Sequence, residues 1–286
     1  LREIMLSLIK HIHSFAKEVK LSASEWAYAM QLFEETGKFC GPGRNEFMIF
    51  SDALGLSMLT VTQDYPRPAH ATEPTLVGPF LLEDAPEFPL GADISAGAAG
   101  TAMHAQGRIL DTEGRPIPNA IIDVWHSDDR GLYDVQTDLE TNGPWARAVL
   151  HSDAEGRYHF WSVLPVDYPI PQDGTAIRMI RATTGESWRP AHLHFRITAP
   201  GLRPLVTHLF DRESARLDRD AGAGVVEGGL RPRERGAVIG QEHHPRVVVE
   251  SGEDGGCAFS ALGEGGGSSV GSDVVLEPGG DHPLSP

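Results

Sequence analysis

Cysteine is almost missing from this chain: Cys40 and Cys257 are the only two in 286 residues. Two thiols so far apart make no disulfide framework, so the fold must rest on its core, and a reducing, cytoplasmic setting is expected. Basic residues are also short, 24 Lys and Arg against 40 Asp and Glu, for a formal net charge of −16. That balance excludes nucleic-acid binding through phosphate contacts and attraction to an anionic membrane surface. No run of about eighteen apolar residues is present, so no membrane insertion is expected. The first residues lack the charged, apolar and small-residue blocks of a signal peptide. What remains is an ordinary globular composition, 40% hydrophobic and 22% charged, enough to bury a substantial core.

The chain divides into three textures. In residues 1–68, Ile4, Leu8, Ile12, Phe15 and Val19 recur at helical spacing, which predicts one amphipathic helix. Ser22 with Glu25 reads as a capping box opening a second helix, with Gly37 as its stop. Phe47, Phe50, Leu54, Met58 and Val61 predict a third, before Pro66 and Pro68 break the pattern. Residues 69–215 carry short β-rich runs between Gly, Pro and Asp. The clearest strands are 119–126 (NAIIDVWH), 157–164 (RYHFWSVL), 191–198 (AHLHFRIT) and 205–210 (LVTHLF). DTEGRP (111–116) and DAEGRY (153–158) read as similar turns. Many short strands with turn signals point to a mainly β protein with an N-terminal α region, its β domain a sandwich rather than a parallel α/β sheet. Residues 216–286 differ: half of the 32 glycines lie beyond 211, where Phe259 is the only aromatic. This atypical Gly-rich tail is expected to be loose, with VVVE and DVVL as weak strands.

The sharpest chemical signal is RPAHLHF, residues 189–195. On a strand, His192 and His194 project from one face, where a single metal ion can accept both imidazoles; the competing reading is two histidines on a solvated face. Tyr133 lies in DDRGLYD, and Tyr168 in PVDYPIP between stiffening prolines. Each alone reads equally as a packing residue. Together with the histidine pair they form a donor set suited to a hard trivalent ion, which favours anionic oxygen and lowers a phenol pKa from about 10.

With these residues in view, GRPIPNAIIDVWHSDDRGLYD, PVDYPIP and RPAHLHFRITAPG resemble the core of the intradiol ring-cleaving dioxygenases over roughly residues 1–215. The resemblance implies a β-sandwich catalytic domain and one non-haem iron(III) per subunit, held by Tyr133, Tyr168, His192 and His194. An aromatic diol or triol and O2 are the implied substrates. Tyr168 is implied as the ligand displaced to act as a base. Arg189, otherwise read as a surface salt-bridge residue, is implied to face the bound ring and stabilise charge developing there. The helical region is implied to form a homodimer interface with a bound phospholipid.

Three features are similar to the hydroxyquinol-cleaving branch. The run Leu76, Val77, Gly78, Pro79 and Phe80 resembles its pocket wall. SDALGLSM brings Asp52 towards a third hydroxyl, against a bland reading as a capping residue. THLF sets His208 where catechol-cleaving relatives usually carry glutamine, against a strand histidine satisfied by its neighbours. Ile170 and Pro171 complete the expected wall. The rivals are a catechol or chlorocatechol 1,2-dioxygenase, a non-catalytic sandwich that kept the fold, and a zinc hydrolase using His192 and His194, for which paired tyrosines would be unusual. The resemblance stops after THLFDRESARLD, and a shifted reading frame in a GC-rich gene yields such a tail.

Overall fold

The computed structural model describes residues 1–41, 44–64, 71–183, 185, 187–211, 214–217, 220, 237–238 and 268–276. Pro66 and Pro68, VVVE at 247–250, His243, His244 and Cys257 lie outside them. Helices α1 (Arg2–Glu18) and α2 (Ala23–Lys38) form where the apolar spacing predicts. Ser22 and Glu25 make both bonds of the capping box, satisfying two backbone donors at the α2 start. The helix runs through Gly37 and ends at Phe39 in right-handed geometry, so Gly37 is not its stop. The third expected helix is two. α3 (Glu46–Ala53) and α4 (Leu56–Asp64) are separated at Gly55, whose φ of 73° is a left-handed conformation that glycine adopts without strain. The break lets Ala53 and Met58, five positions apart, both become buried.

The β region folds as a sandwich, as its turn-punctuated strands predict. One sheet has the order β10-β1-β4, from β1 (Ala102–Asp111), β4 (Arg157–Val163) and β10 (Ser268–Leu276). The other runs β3-β2-β7-β8-β9, from β2 (Ile121–His126), β3 (Arg147–His151), β7 (His192–Thr198), β8 (Leu205–Phe210) and β9 (Ala237–Val238). Met103, Ile109 and Phe160 from the first sheet meet Ile122, Leu150 and Phe195 from the second in one buried core. The two similar turns are indeed alike. In each an aspartate, Asp111 or Asp153, accepts from the backbone N–H groups two and four residues on, and Gly114 or Gly156 takes positive φ. Of the tail, β10 runs parallel to β1 in register from Met103↔Ser268 to Asp111↔Leu276, and Val274 and Leu276 fill the core. β9 pairs with β8 at Leu209 and Phe210.

Beyond the single-turn α5 (Leu139–Asn142), a helix that the β-rich reading did not anticipate, α6 (Thr175–Ala182), joins the helical region to the sandwich. Its buried Ala176, Ile177 and Ile180 follow helical spacing, and Ile177 and Ile180 pack with Ala53 of α3. Glu46 accepts from the Ala176 N–H at 2.9 Å, placing a carboxylate at the helix N-terminus where the dipole favours it. The hydroxyls of Thr36 and Thr175 meet in the buried interface at 2.7 Å. Among the described residues no helix is long and apolar enough to cross a membrane. α1 buries none of its side chains: Ile4, Leu8, Ile12 and Phe15 are exposed, as is Val19 just beyond its end.

Candidate metal centre

Strand β7 builds the site by alternation. Leu193, Phe195 and Ile197 enter the sandwich core, so His192 and His194 must point out of the opposite face. That face is not solvated, because both histidines are 1% exposed, which removes the bland reading of the pair. In β2 and β8 the residues opposite His194 are Trp125 and His208. The Trp125 indole stacks on His194 at 4.7 Å with 12° between planes. The His208 ring stands edge-on to His194 at 4.3 Å.

A loop brings Tyr133, and the two-residue strand β5 (Tyr168–Pro169) brings Tyr168. Tyr133 Oη lies 3.0 Å from His194 Nε2, 3.4 Å from His192 Nε2 and 3.3 Å from Tyr168 Oη. The two Nε2 atoms are 3.1 Å apart. Donor atoms bonded at roughly 2 Å to one ion stand about 3 Å from each other, so the set has the size of a single-ion site. His192 Nδ1 is 2.7 Å from the Pro190 carbonyl. Because a carbonyl only accepts, Nδ1 carries the hydrogen and Nε2 presents its lone pair to the site, the usual outer support of a metal-bound imidazole. Burial pushes His192 down to about 3, helped by the Arg189 cation, and holds His194 and His208 well below their ordinary values. All three imidazoles are therefore neutral and able to ligate. Burial pushes both phenols up, Tyr133 furthest because Tyr168 adds to it; the anionic form needs a cation beside it.

Comparison with known proteins follows the same lines. Residues 1–72 match the family model described as the catechol dioxygenase N terminus, and residues 88–227 match the dioxygenase model. A hydroxyquinol 1,2-dioxygenase of Rhodococcus opacus is 47% identical over 229 residues, 79% of this chain and 75% of that protein. One from Corynebacterium glutamicum is 41% identical over 280 residues, 98% of this chain and 88% of that one. The solved hydroxyquinol 1,2-dioxygenase of Pseudomonas putida DLL-E4 superposes with a TM-score of 0.79 at 35% identity, covering 97% of this chain and 91% of that one. The chain belongs to the intradiol dioxygenase family. The family implies a non-haem iron, and two neutral imidazoles with two phenols suit that ion better than zinc.

Other residues of this intradiol dioxygenase surround the donors unevenly. The Phe80 ring lies 4.4 Å from that of Tyr133. Gly78 has positive φ, and a Cβ there would come within 3.3 Å of His194 Cε1. His208 is hydrogen-bonded to the Leu76 backbone, and its Nε2, buried, has no partner among the described residues. The three histidine ring nitrogens lie within 4.8 Å of one another. Val77, Pro79 and Pro171 are exposed, and Ile170 packs with Ile177 and Ala53. Arg189 is not a surface salt bridge. The β5 (Tyr168–Pro169) to β6 (Trp188–Arg189) ladder sets it opposite Tyr168. Burial opposes its charge, but the Asp220 carboxylate and Tyr168 outweigh that and raise its pKa. Asp52 lies within electrostatic reach of Arg189; burial raises its pKa, and its Oδ1 has no partner among the described residues.

The groups behind Tyr133 are not legible in the amino-acid pattern. Asp134 and Arg147 form an ion pair, each side chain 1% exposed, and Arg147 also donates to the Phe80 carbonyl at 2.9 Å. One buried pair thus pins both the loop carrying Tyr133 and the wall at Phe80. Gly131 supports the site from the same loop. Its φ is 75°, and a Cβ there would run into the Tyr168 side chain. Replacing Arg147 with Met strands the Asp134 charge, with an expected cost of about 3–5 kcal/mol in denaturant unfolding. The double variant Arg147→Met with Asp134→Leu is expected to recover most of that loss; equal stability of single and double variants contradicts the assignment.

Proposed function

We propose that this enzyme cleaves hydroxyquinol (benzene-1,2,4-triol) with O2 to give maleylacetate, using one iron(III) per subunit held by Tyr133, Tyr168, His192 and His194. The observation carrying the reading is the meeting of two phenol oxygens and two imidazole nitrogens at 3.0–3.4 Å in a buried pocket. When bound, the ferric ion supplies a Lewis acid that keeps phenolates anionic at neutral pH and activates adjacent ring hydroxyls. Tyr168 accepts a proton from the entering diol at Oη. The choice of Tyr168 over Tyr133 follows the family resemblance at PVDYPIP, and Tyr168 stands opposite Arg189 in the β5–β6 ladder. Arg189, fixed by its neighbours, faces negative charge that develops on the ring. Phe80 and Trp125 keep the donors dry, which strengthens each charge interaction.

Asp52 supports the triol over a plain diol. Its buried Oδ1, without a partner among the described residues, is an acceptor for a third hydroxyl. The relatives named as hydroxyquinol dioxygenases support the same choice. The exposed apolar stripe of α1, with Trp26 and Phe33 of α2, supports a homodimer through residues 1–68 with a phospholipid between the helices; such bare surface is otherwise rare on a monomer. Residues 69–215 are proposed as the catalytic unit.

Pure protein loaded with iron is expected to be reddish, through phenolate-to-iron charge transfer, and to open hydroxyquinol. Tyr168→Phe should keep the fold and lose turnover. Colourless protein holding stoichiometric zinc, or full activity of Tyr168→Phe, overturns the reading. Asp52→Ala should lower kcat/KM for hydroxyquinol by about ten- to a hundredfold and leave catechol turnover nearly unchanged. An equal loss on both substrates contradicts the role of Asp52.

A further inference from the structure

Arg189 does not meet the phenols alone. Thirty-one residues further along the chain, Asp220 reaches back to it: Arg189 Nε donates to Oδ1 at 3.0 Å and Nη2 to Oδ2 at 3.1 Å. The Asp220 side chain is 3% exposed and that of Arg189 15%. Two parallel bonds to one carboxylate fix the plane of a guanidinium, which a single bond would leave free to swing. They use the Nε edge. Among the described residues no partner is seen for Nη1, and the guanidinium lies close enough to the Tyr168 phenol to favour its anion. The backbone contributes equally, since Arg189 is paired with Tyr168 in the β5–β6 ladder. Neighbouring residues of the same segment tie it down: Ser214 Oγ donates to Asp167 Oδ1 at 2.7 Å, Leu217 is buried, and the Arg216 guanidinium lies 5.0 Å from the Trp188 ring centroid.

From this geometry we infer that Asp220 is a positioning residue of the reaction: its carboxylate holds one edge of Arg189 so that the opposite edge faces Tyr168 Oη and the ring position. The inference rests on the proposed function for the meaning of Arg189, but the clamp itself is a separate fact of the fold. A buried cation without a fixed partner would have to find one among Asp52, the phenols or an anionic substrate, and each of those would pull the guanidinium out of place. Asp220 supplies the charge balance and the orientation from outside the donor set. A displacement of about 1 Å of such a group costs on the order of a hundredfold in rate.

Three measurements on the full chain test this. In protein labelled with 15N-arginine, the clamped Nε–H of Arg189 is expected as a slowly exchanging NMR signal that shifts or broadens in Asp220→Asn; its absence from the wild type overturns the clamp, whatever the activity. In the iron-loaded enzyme, Asp220→Asn is expected to lower kcat about ten- to a hundredfold, with KM moving no more than about threefold, iron content unchanged, and the visible band of the resting protein displaced. The same substitution made in Arg189→Ala protein is expected to have almost no further effect on kcat, because the carboxylate acts only through the guanidinium. Losses that multiply in the double variant, or a folded Asp220→Asn with wild-type kcat and band, overturn the positioning role while leaving an active wild type as support for the proposed function. A wild type that binds iron but does not open the triol defeats that function, and this role with it, while the NMR signal still reports the clamp.

Discussion

The site depends on the two-residue period of β7. Leu193, Phe195 and Ile197 are committed to the sandwich core, and that commitment leaves His192 and His194 no choice of face. A slip of one residue would drive both imidazoles into the apolar layer and push Phe195 into the site. Strand register on either side repeats the constraint, placing Trp125 and His208 against His194. The core that stabilises the sandwich thereby fixes the nitrogen half of the donor set, and the loops need only deliver two phenols.

Delivery is the costly half, because loops that carry ligands must be held without a core of their own. Here buried polar groups do it. The Asp134–Arg147 pair secures Tyr133 and Phe80 together, and Asp167 ties the Tyr168 segment to the Ala191 N–H and to Ser214. Removing half of such a pair costs more than the pair itself contributes, since the survivor is left charged and dry. Gly131 completes the approach by omitting a side chain where Tyr168 packs. Neutral imidazoles and reluctant phenols result from the same burial, so the pocket is built for a cation that repays desolvation of its donors.

Much of this was legible. The histidine pair could be read because alternation in a strand is visible in the letters, and the capping box of α2 because its two side chains sit three apart. The sandwich followed from turn chemistry repeated at Asp111 and Asp153. What escaped has physical reasons. The split between α3 and α4 lies in the backbone angle of Gly55, while the apolar spacing across it continues unbroken. α6 was overlooked inside a β-rich stretch, although Ala176, Ile177 and Ile180 carry a helical pattern. Arg147 and Asp220 could not be foreseen as site supports: each is a charged residue whose partner is distant in the chain, and only the tertiary fold brings the two together. Strand β10 lies in a Gly-rich run with little apolar pattern to mark it, yet its Val274 and Leu276 enter the core.

The helical region and the sandwich meet where the site is completed. α3 carries Asp52 and packs through Ala53 against α6, which follows the Tyr168 segment, so Asp52 and the Tyr168 segment share one interface between the two parts of the chain. The central claim is that two phenols and two imidazoles surround one ferric ion. Diffraction from crystals of iron-loaded protein at the iron absorption edge tests it most directly. One anomalous peak per subunit is expected within bonding distance of Tyr133 Oη, Tyr168 Oη, His192 Nε2 and His194 Nε2; a peak elsewhere, or either phenol oxygen remote from it, contradicts the account.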